Sequence, residues 1–146
     1  WITSRGLGDV YKRQNLNFKE SKYATGRRKK SIAKVWLKKG TGKIIVNGKN
    51  YDEYFKRVNH KSELTKPFEI INQSTSYDVR CSVKGGGHSG QVGAMIHGIS
   101  KALLQFDSTL KPTLKKEKLT TRDSRSVERK KYGHRKARRS FQFSKR

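Results

Sequence analysis

The C-terminal quarter of the chain, residues 112–146, is too basic and too poor in apolar residues to form a packed core of its own. Together with Lys111 it contains 15 Lys and Arg side chains and only three acids, Glu117, Asp123 and Glu128. Like charges at this density repel one another, and such a segment stays solvated until a polyanion neutralises it. The residues before the tail must therefore supply whatever core the protein has.

The charge of the whole chain indicates a polyanionic partner. Its 146 residues include 36 Lys and Arg against 11 Asp and Glu, for a formal net charge of +25, and only 32% of them are apolar. This length accommodates one core of ordinary size. Because the sequence has no run of about 18 apolar residues, which a membrane span requires, we expect nucleic acid as the partner and no membrane.

Shifts in composition divide the chain into three regions. These are an N-terminal extension (residues 1–18), a mixed globular part (19–111) and the basic tail (112–146). The extension shows no periodicity, and it is typical either of a remnant of a targeting or processed segment or of a cloning scar. The single cysteine, Cys81, excludes an internal disulfide and multi-cysteine zinc patterns, and we expect it to be a small buried hydrophobic residue.

The first half of the globular part predicts a β-hairpin. Alternating residues over 31–50 indicate two strands joined by a turn at residues 39–42. The second strand runs from Lys43 to Val46 and ends at Asn47-Gly48, a turn dipeptide because both residues tolerate positive φ.

Short helices are predicted to follow this hairpin. Asn50 or Asp52 is suited to cap a helix that carries aromatic residues up to Phe55. Residues 56–77 predict one or two short helices, because their apolar residues must reach a core while Pro67 interrupts a regular ladder or starts a new helical turn.

A strand, a glycine run and a long helix are predicted next. Alternation from Val79 to Val83 indicates a half-buried strand that leads into the glycines at 85–87. Apolar residues then recur at helical spacing from about Ser89 to Phe106, with a further short helix before the tail. Gly93 and Gly98 lie inside the long helix, where each costs about 1 kcal/mol relative to Ala. They predict close approach of the helix backbone to a sheet or to RNA.

The glycines also match a nucleotide-binding pattern, Gly-x-Gly-x-x-Gly over residues 85–90. A dinucleotide fold needs an acid on a following strand, but the nearest candidate, Asp107, ends the helix. A phosphate loop needs Lys and Ser or Thr where Gln91 and Val92 stand. Two interpretations remain open. The loop offers backbone N–H groups to one phosphate beside Lys84, or its glycines serve chain geometry alone.

Catalytic and metal chemistry have little support in the sequence. The histidines are scattered without ligand spacing, at His60, His88, His97 and His134. The carboxylates occur singly, mostly near Lys or Arg, which favours charge balance over acid–base pairs. We therefore expect no enzyme activity, no metal and no cofactor.

The basic segments carry the strongest functional signal. Thr25 to Ser31 and the tail combine Arg and Lys with three aromatic residues, Tyr132, Phe141 and Phe143. Arg provides a planar fork for phosphate, and aromatic rings stack on exposed bases. About 25 extended tail residues span roughly 80 Å, a reach that is useful inside a large RNA assembly.

Three segments of the chain are specific enough to be compared with a known family. They are YATGRRKKSIAKVWLKKGTGKIIVNGKNYDEYF, VKGGGHSGQVGAMIHGISKALLQFD and TRDSRSVERKKYGHRKARRSFQFSKR. Together they resemble ribosomal protein nine of the small subunit, in its bacterial or organellar form. The resemblance covers about Tyr23 to Arg146. It implies an α+β fold like the second domain of ribosomal protein five of the small subunit. This fold has a small mixed β-sheet, helices packed on it, a left-handed βαβ crossover and a long extended basic C-terminal tail.

The resemblance also implies a structural role in the head of the small subunit. The tail would thread through rRNA and bring Ser144, Lys145 and Arg146 close to the anticodon arm of the peptidyl-site tRNA. Implied partners are small-subunit rRNA, that tRNA and neighbouring head proteins. The residues so implied to contact rRNA are Arg27, Arg28, Lys29, Lys30, Lys84, Gly85, Gly86, Gly87, His88, Ser89, Gly90, Gln91, Arg122, Arg125, Arg129, Lys130, Lys131, Tyr132, Arg135, Lys136, Arg138 and Arg139.

The location and the rival functions stay open at the level of sequence. The first residue is not Met, which favours a mitochondrial ribosome, with plastid and bacterial cytoplasm as the alternatives. One rival function is a generic basic nucleic-acid-binding protein. The other is a small nucleotide-binding enzyme that uses the glycine loop at 85–90.

Overall fold

The computed structural model of the protein describes residues 21–73 and 76–143. Within these residues the fold is α+β, a five-stranded mixed sheet with helices packed on it, as predicted. The strands are β1 (Lys22–Arg28), β2 (Ser31–Lys39), β3 (Ile44–Val46), β4 (Lys49–Asn50) and β5 (Tyr77–Lys84). The helices are α1 (Tyr51–Tyr54), α2 (Val58–Ile70), α3 (His88–Phe106) and α4 (Lys111–Lys116), with a 3₁₀ turn at Ser108–Leu110.

The strand order in the sheet is β1-β2-β5-β3-β4. All neighbouring pairs are antiparallel except β3 and β5, which are parallel and are connected through α1 and α2. β1 and β2 form a hairpin in which Arg28 pairs with Ser31 across a two-residue turn, Lys29-Lys30. Lys29 has φ 53°, and both lysines of this basic turn are exposed.

The predicted hairpin between β2 and β3 is wrong, because β5 lies between these two strands. The carboxylate of Asp78 on β5 accepts hydrogen bonds from the backbone N–H groups of Thr41, Gly42 and Lys43, at 2.9 to 3.0 Å. These bonds hold the 40–43 connection against β5. The strand β1 was also missed, because its sequence was interpreted only as a basic segment.

The Asn47-Gly48 turn is confirmed and joins β3 to β4, with φ 50° and 82° at its two residues. The Asn47 side chain does more than permit this turn. Its amide donates to the carbonyl of Val83 at 3.0 Å, and its carbonyl accepts from the Val83 N–H at 2.8 Å. The turn is therefore tied to β5 as well.

The predicted helices are present with two changes. α1 begins after Asn50, as expected, although the Asn50 side chain makes no capping hydrogen bond. The segment predicted as one or two short helices is a single 13-residue helix, α2. Pro67 lies inside its last turn and is buried, so the ring fills core space at the cost of one backbone hydrogen bond.

The strand β5 and the long helix α3 are confirmed, and α3 packs closely on the sheet. A Cβ atom at Gly98 would lie 2.6 Å from Val35 Cγ2 of β2. Gly26 of β1 faces the same helix, with Ala94 and Gly98 against it. Glycines on both elements therefore allow a close helix–sheet contact, which confirms the predicted approach of the helix backbone to a sheet.

The packed part of the chain continues past residue 111. α4 crosses the predicted start of the tail at residue 112, and its Leu114 is fully buried in the core. Residues 120–143 contain no helix or strand, apart from an isolated bridge between His134 and Ser140. Within the described part of the chain, no helix is long and apolar enough to cross a bilayer.

Candidate nucleic-acid interface

The glycine loop after β5 packs against the start of β2. Gly85 and Gly86 have φ 80° and 62°, a conformation that favours glycine. A Cβ at Gly85 would lie 2.5 Å from the carbonyl oxygen of Lys30, and one at Gly90 would lie 2.9 Å from Ser31 Oγ. Ser31 Oγ also donates to the Gly85 carbonyl at 3.0 Å. Chain geometry therefore accounts for Gly85, Gly86 and Gly90, three of the four glycines between residues 85 and 90. The same contacts place the loop beside the basic β1–β2 turn.

Gly87 differs from its neighbours, because a Cβ there would meet nothing within 4 Å. It is the N-cap residue of α3, and no side chain caps the helix at this position. His88 and Ser89 are exposed. The first amides of a 19-residue helix therefore lie at the surface, where helix N-termini favour anions.

Side chains from α1 and α2 hold the loop in place. The Tyr54 hydroxyl donates to Gln91 Oε1 at 2.8 Å, and Gln91 Nε2 donates to the Gly85 carbonyl at 3.1 Å. His60 Nε2 lies 3.1 Å from Ser89 Oγ. Gln91 is only 7% exposed, and both ends of its amide are used inside the protein, so it positions the loop.

A groove of about 880 Å³ opens beside the N-terminus of α3. We call it the basic groove. Its cations are Lys29, Lys30, Lys56, Arg57 and Arg129. Within the described ranges, none of the five forms an ion pair. The one acid in its lining, Glu128, is already engaged by Lys131 and by Arg138, whose Nε lies 3.0 Å from it.

The basic groove joins three predicted segments and two residues that the sequence interpretation missed. It contains the 29–30 turn, the 86–90 part of the glycine loop and Arg129 of the tail. Lys56 and Arg57 were missed, although both are exposed and immediately precede α2. Two adjacent cations in a chain this basic carry no signal until the fold places them beside the loop.

The beginning of the tail is tied to the domain through Asp123. Arg125 Nη2 lies 2.8 Å from Asp123 Oδ2, and Arg28 Nε lies 3.7 Å from the same oxygen. Hydrogen bonds from the Arg125 side chain and backbone hold the pKa of the Asp123 carboxyl well below its usual range. Arg28 and Arg125 thus contact a carboxylate of their own chain.

The rest of the tail exposes cations and aromatic rings together. Tyr132 and Phe143 are exposed, and the Arg135 guanidinium lies 5.8 Å from the centre of the Phe141 ring. Among residues 21–73 and 76–143, the predicted contacts that form no ion pair are Arg27, Lys29, Lys30, Lys84, Arg122, Arg129, Lys130, Arg135, Lys136 and Arg139. Ser144, Lys145 and Arg146 lie outside the described residues.

Among residues 21–73 and 76–143, no group of three or more His, Cys, Asp or Glu side chains is arranged to hold a metal ion. Cys81 is 2% exposed, which confirms the prediction of a small buried residue, and burial raises the pKa of its thiol well above the usual range.

The model of the family described as ribosomal protein S9/S16 matches residues 26–146 of the chain. The chain belongs to this family. The match includes α3, the basic groove and the whole tail, so it confirms the resemblance seen in the sequence. Membership of the family assigns the chain a structural role in the small ribosomal subunit, with rRNA and the ribosome as its partners. The first 25 residues lie outside the match.

Proposed function

We propose that the protein is a non-catalytic constituent of the small-subunit head that binds rRNA through the basic groove and reaches the peptidyl-site tRNA with its tail. The observation that carries this proposal is the groove itself. Five cations without a carboxylate partner in the described ranges surround an uncapped helix N-terminus. Both features favour phosphate, and the family supplies an RNA partner.

Electrostatics would dominate such binding. Neutralising about 6 to 10 phosphates lowers affinity by about 10³ to 10⁵ between roughly 50 and 200 mM salt. The groove and the tail together have enough unpaired cations for this number of contacts. Arg side chains also stack on bases, and the exposed rings of Tyr132 and Phe143 offer further stacking surfaces.

The tail supports the longer reach to tRNA. Its described part, residues 120–143, contains no helix or strand, and a fully extended chain of this length spans roughly 80 Å. The terminal residues Ser144, Lys145 and Arg146 would then lie near the anticodon arm, with head proteins beside the globular part. We place the ribosome in a mitochondrion, with plastid and bacterial cytoplasm as alternatives.

Sedimentation of a cell lysate tests the proposed assembly. The chain carries an internal tag, and the RNA that travels with it in the gradient is sequenced. We expect comigration with small subunits, and the identity of the rRNA names the compartment. Recovery at the top of the gradient, with mixed RNA or none, would contradict the proposal and favour a generic nucleic-acid-binding protein.

Deletion of Ser144–Arg146 tests the tail separately. It removes two cations, and the matched control, Lys111→Gln with Lys115→Gln, removes two exposed cations from α4. We expect both variants to assemble into subunits, and only the deletion to weaken peptidyl-site tRNA occupancy. Equal occupancy in the two variants would exclude the proposed tRNA contact.

A further inference from the structure

The sheet has a second face, on which the strand side chains point away from the buried core. Side chains alternate between the two faces of a strand, and in β2 the residues Ala33, Val35 and Leu37 are fully buried. Lys34, between them, is exposed, and Trp36 is half-buried. We call this surface the open face.

One row across the open face combines two aromatic rings and a guanidinium. The register pairs Tyr23 of β1 with Trp36 of β2, and Trp36 with Arg80 of β5. The two ring centres are 5.3 Å apart, and the Arg80 guanidinium lies 5.2 Å from the Trp36 ring. Tyr23 remains 44% exposed, so this row presents π surface to solvent.

Cations flank the aromatic row on the same face. Lys34 occupies the adjacent row and pairs in register with Thr25 and Ser82. The next row contains Arg27 and Lys84 on either side of a half-buried Ile32. Lys34 and Lys84 are exposed. Two residues that the resemblance implies as rRNA contacts, Arg27 and Lys84, therefore belong to this face by register, and neither lines the basic groove.

The carboxylate that belongs to the open face, Asp78, is already hydrogen-bonded within the protein. Asp78 of β5 belongs to it by alternation, and its Oδ1 accepts three backbone N–H groups from residues 41–43. Within the described ranges, Lys34, Arg80 and Lys84 form no ion pair. The surface therefore combines stacking groups with net positive charge, which is complementary to the bases and phosphates of unpaired nucleotides.

We propose that the open face is a second RNA-binding surface, on which Tyr23, Trp36 and Arg80 stack unpaired bases while Lys34 and its flanking cations bind the adjoining phosphates. This inference rests on the proposed rRNA-binding function. Four-stranded sheets that display aromatic rings stack about two or three bases. The distance across β1, β2, β5 and β3 is about 14 Å, from three strand spacings of about 4.8 Å each, and it accommodates that number.

The basic groove and the open face would bind different parts of an RNA. The basic groove offers amides and cations, which bind phosphate without regard to base pairing, whereas the open face requires bases that are out of a helix. An rRNA segment held at both sites would place a phosphate at α3 and an unpaired loop or bulge on the sheet.

Tryptophan fluorescence and anisotropy test this inference on the full chain. The sequence has two tryptophans, Trp1 and Trp36, so Trp1→Phe leaves Trp36 as the only tryptophan, and selective excitation of tryptophan reports on it alone. The probe is a labelled RNA hairpin with a loop of about eight unpaired nucleotides. We expect saturable quenching of Trp36 in parallel with the anisotropy increase.

Charge variants give the matched comparison. Lys34→Gln with Arg80→Gln removes two cations from the open face, and Lys111→Gln with Lys115→Gln removes two from α4. We expect the first pair to weaken binding about tenfold, through lost stacking and phosphate contacts, and the second less than about threefold. Circular dichroism of both pairs checks that the sheet is intact.

Two results would overturn the inference, and they are distinguishable. Anisotropy that reports binding while Trp36 emission stays unchanged, with equal affinities for the two variant pairs, would exclude RNA from the open face and leave the basic groove as the RNA site. No salt-dependent binding by the unsubstituted chain would refute the proposed function, and this inference with it.

Discussion

Gly26→Ala is expected to disrupt the contact between β1 and α3. A Cβ at residue 26 would lie 1.8 Å from the carbonyl oxygen of Ala94 and 2.4 Å from the amide nitrogen of Gly98. Ordinary contact distances are about 3.5 Å, so the helix would have to move away by more than about 1 Å. Overpacking that side chains can absorb costs about 1 to 3 kcal/mol. The obstacle here is backbone on both sides, and we expect a loss of about 3 kcal/mol or more.

Urea denaturation followed by far-UV circular dichroism measures this loss. For an m-value of about 1 to 3 kcal/mol per M, it corresponds to a fall in midpoint of about 1 to 3 M. Gly87→Ala is the matched control, because its Cβ would meet nothing within 4 Å and its φ is −101°. We expect this control to lose no more than about 1 kcal/mol, because the substitution meets no steric obstacle and costs only the difference between Gly and Ala at the N-cap of α3. Equal midpoints for the two variants would refute the close packing of α3 on β1.

Two further predictions concern the Asn47 turn and the start of the tail. Asn47→Gly keeps the positive φ but removes both hydrogen bonds to Val83, so we expect a loss of about 1 to 2 kcal/mol in the same urea assay. Asn72→Gly, at another positive-φ asparagine, is the control, and equal losses would contradict the role of the Val83 bonds. Because folding lowers the pKa of Asp123, its contact with Arg125 persists when the pH falls below about 4, which is the usual pKa of Asp in an unfolded chain. The contact is lost only near the lower pKa that Asp123 has in the folded protein. An NMR titration of Asp123 should show this lowered pKa, and Arg125→Gln should raise it towards its usual range. An ordinary Asp123 pKa in the unsubstituted chain would contradict the contact with Arg125.

The elements that the sequence predicted well are those whose signal is local. β5 and α3 each express one clear period, 2 and then 3.6, and the change occurs at the glycine run. Asn47-Gly48 carries its own turn chemistry, which the positive φ values confirm. In each case the deciding contacts lie within a few residues of one another.

Strand order depends on contacts that the sequence does not display. β2 and β3 are close in sequence, yet β5 separates them, since Asp78 binds the N–H groups of the 40–43 connection and Asn47 binds Val83. These partners are more than thirty residues apart in sequence. β1 was missed because its polar outer residues mask the alternation of Ala24 and Gly26, which face α3.

Only part of the interface was predicted, because it too depends on contacts between residues that are far apart in sequence. The basic turn at 29–30 and the glycine loop were recognisable as segments, and the fold brings them together. Lys56 and Arg57 line the basic groove because of the position of α2, which they immediately precede. The sequence alone does not reveal that position. The row across the open face joins residues of three strands, so no window of sequence contains it.

Cross-linking in assembled subunits tests the central claim most directly. Small subunits that contain the chain are irradiated with ultraviolet light, and RNA-linked peptides are identified by mass spectrometry. The account predicts rRNA adducts at residues 29–30, 56–57 and 86–90 and along the tail at 122–139, with α4 (Lys111–Lys116) as the basic segment that stays unlinked. Adducts confined to α4, with the basic groove free of RNA, would contradict it.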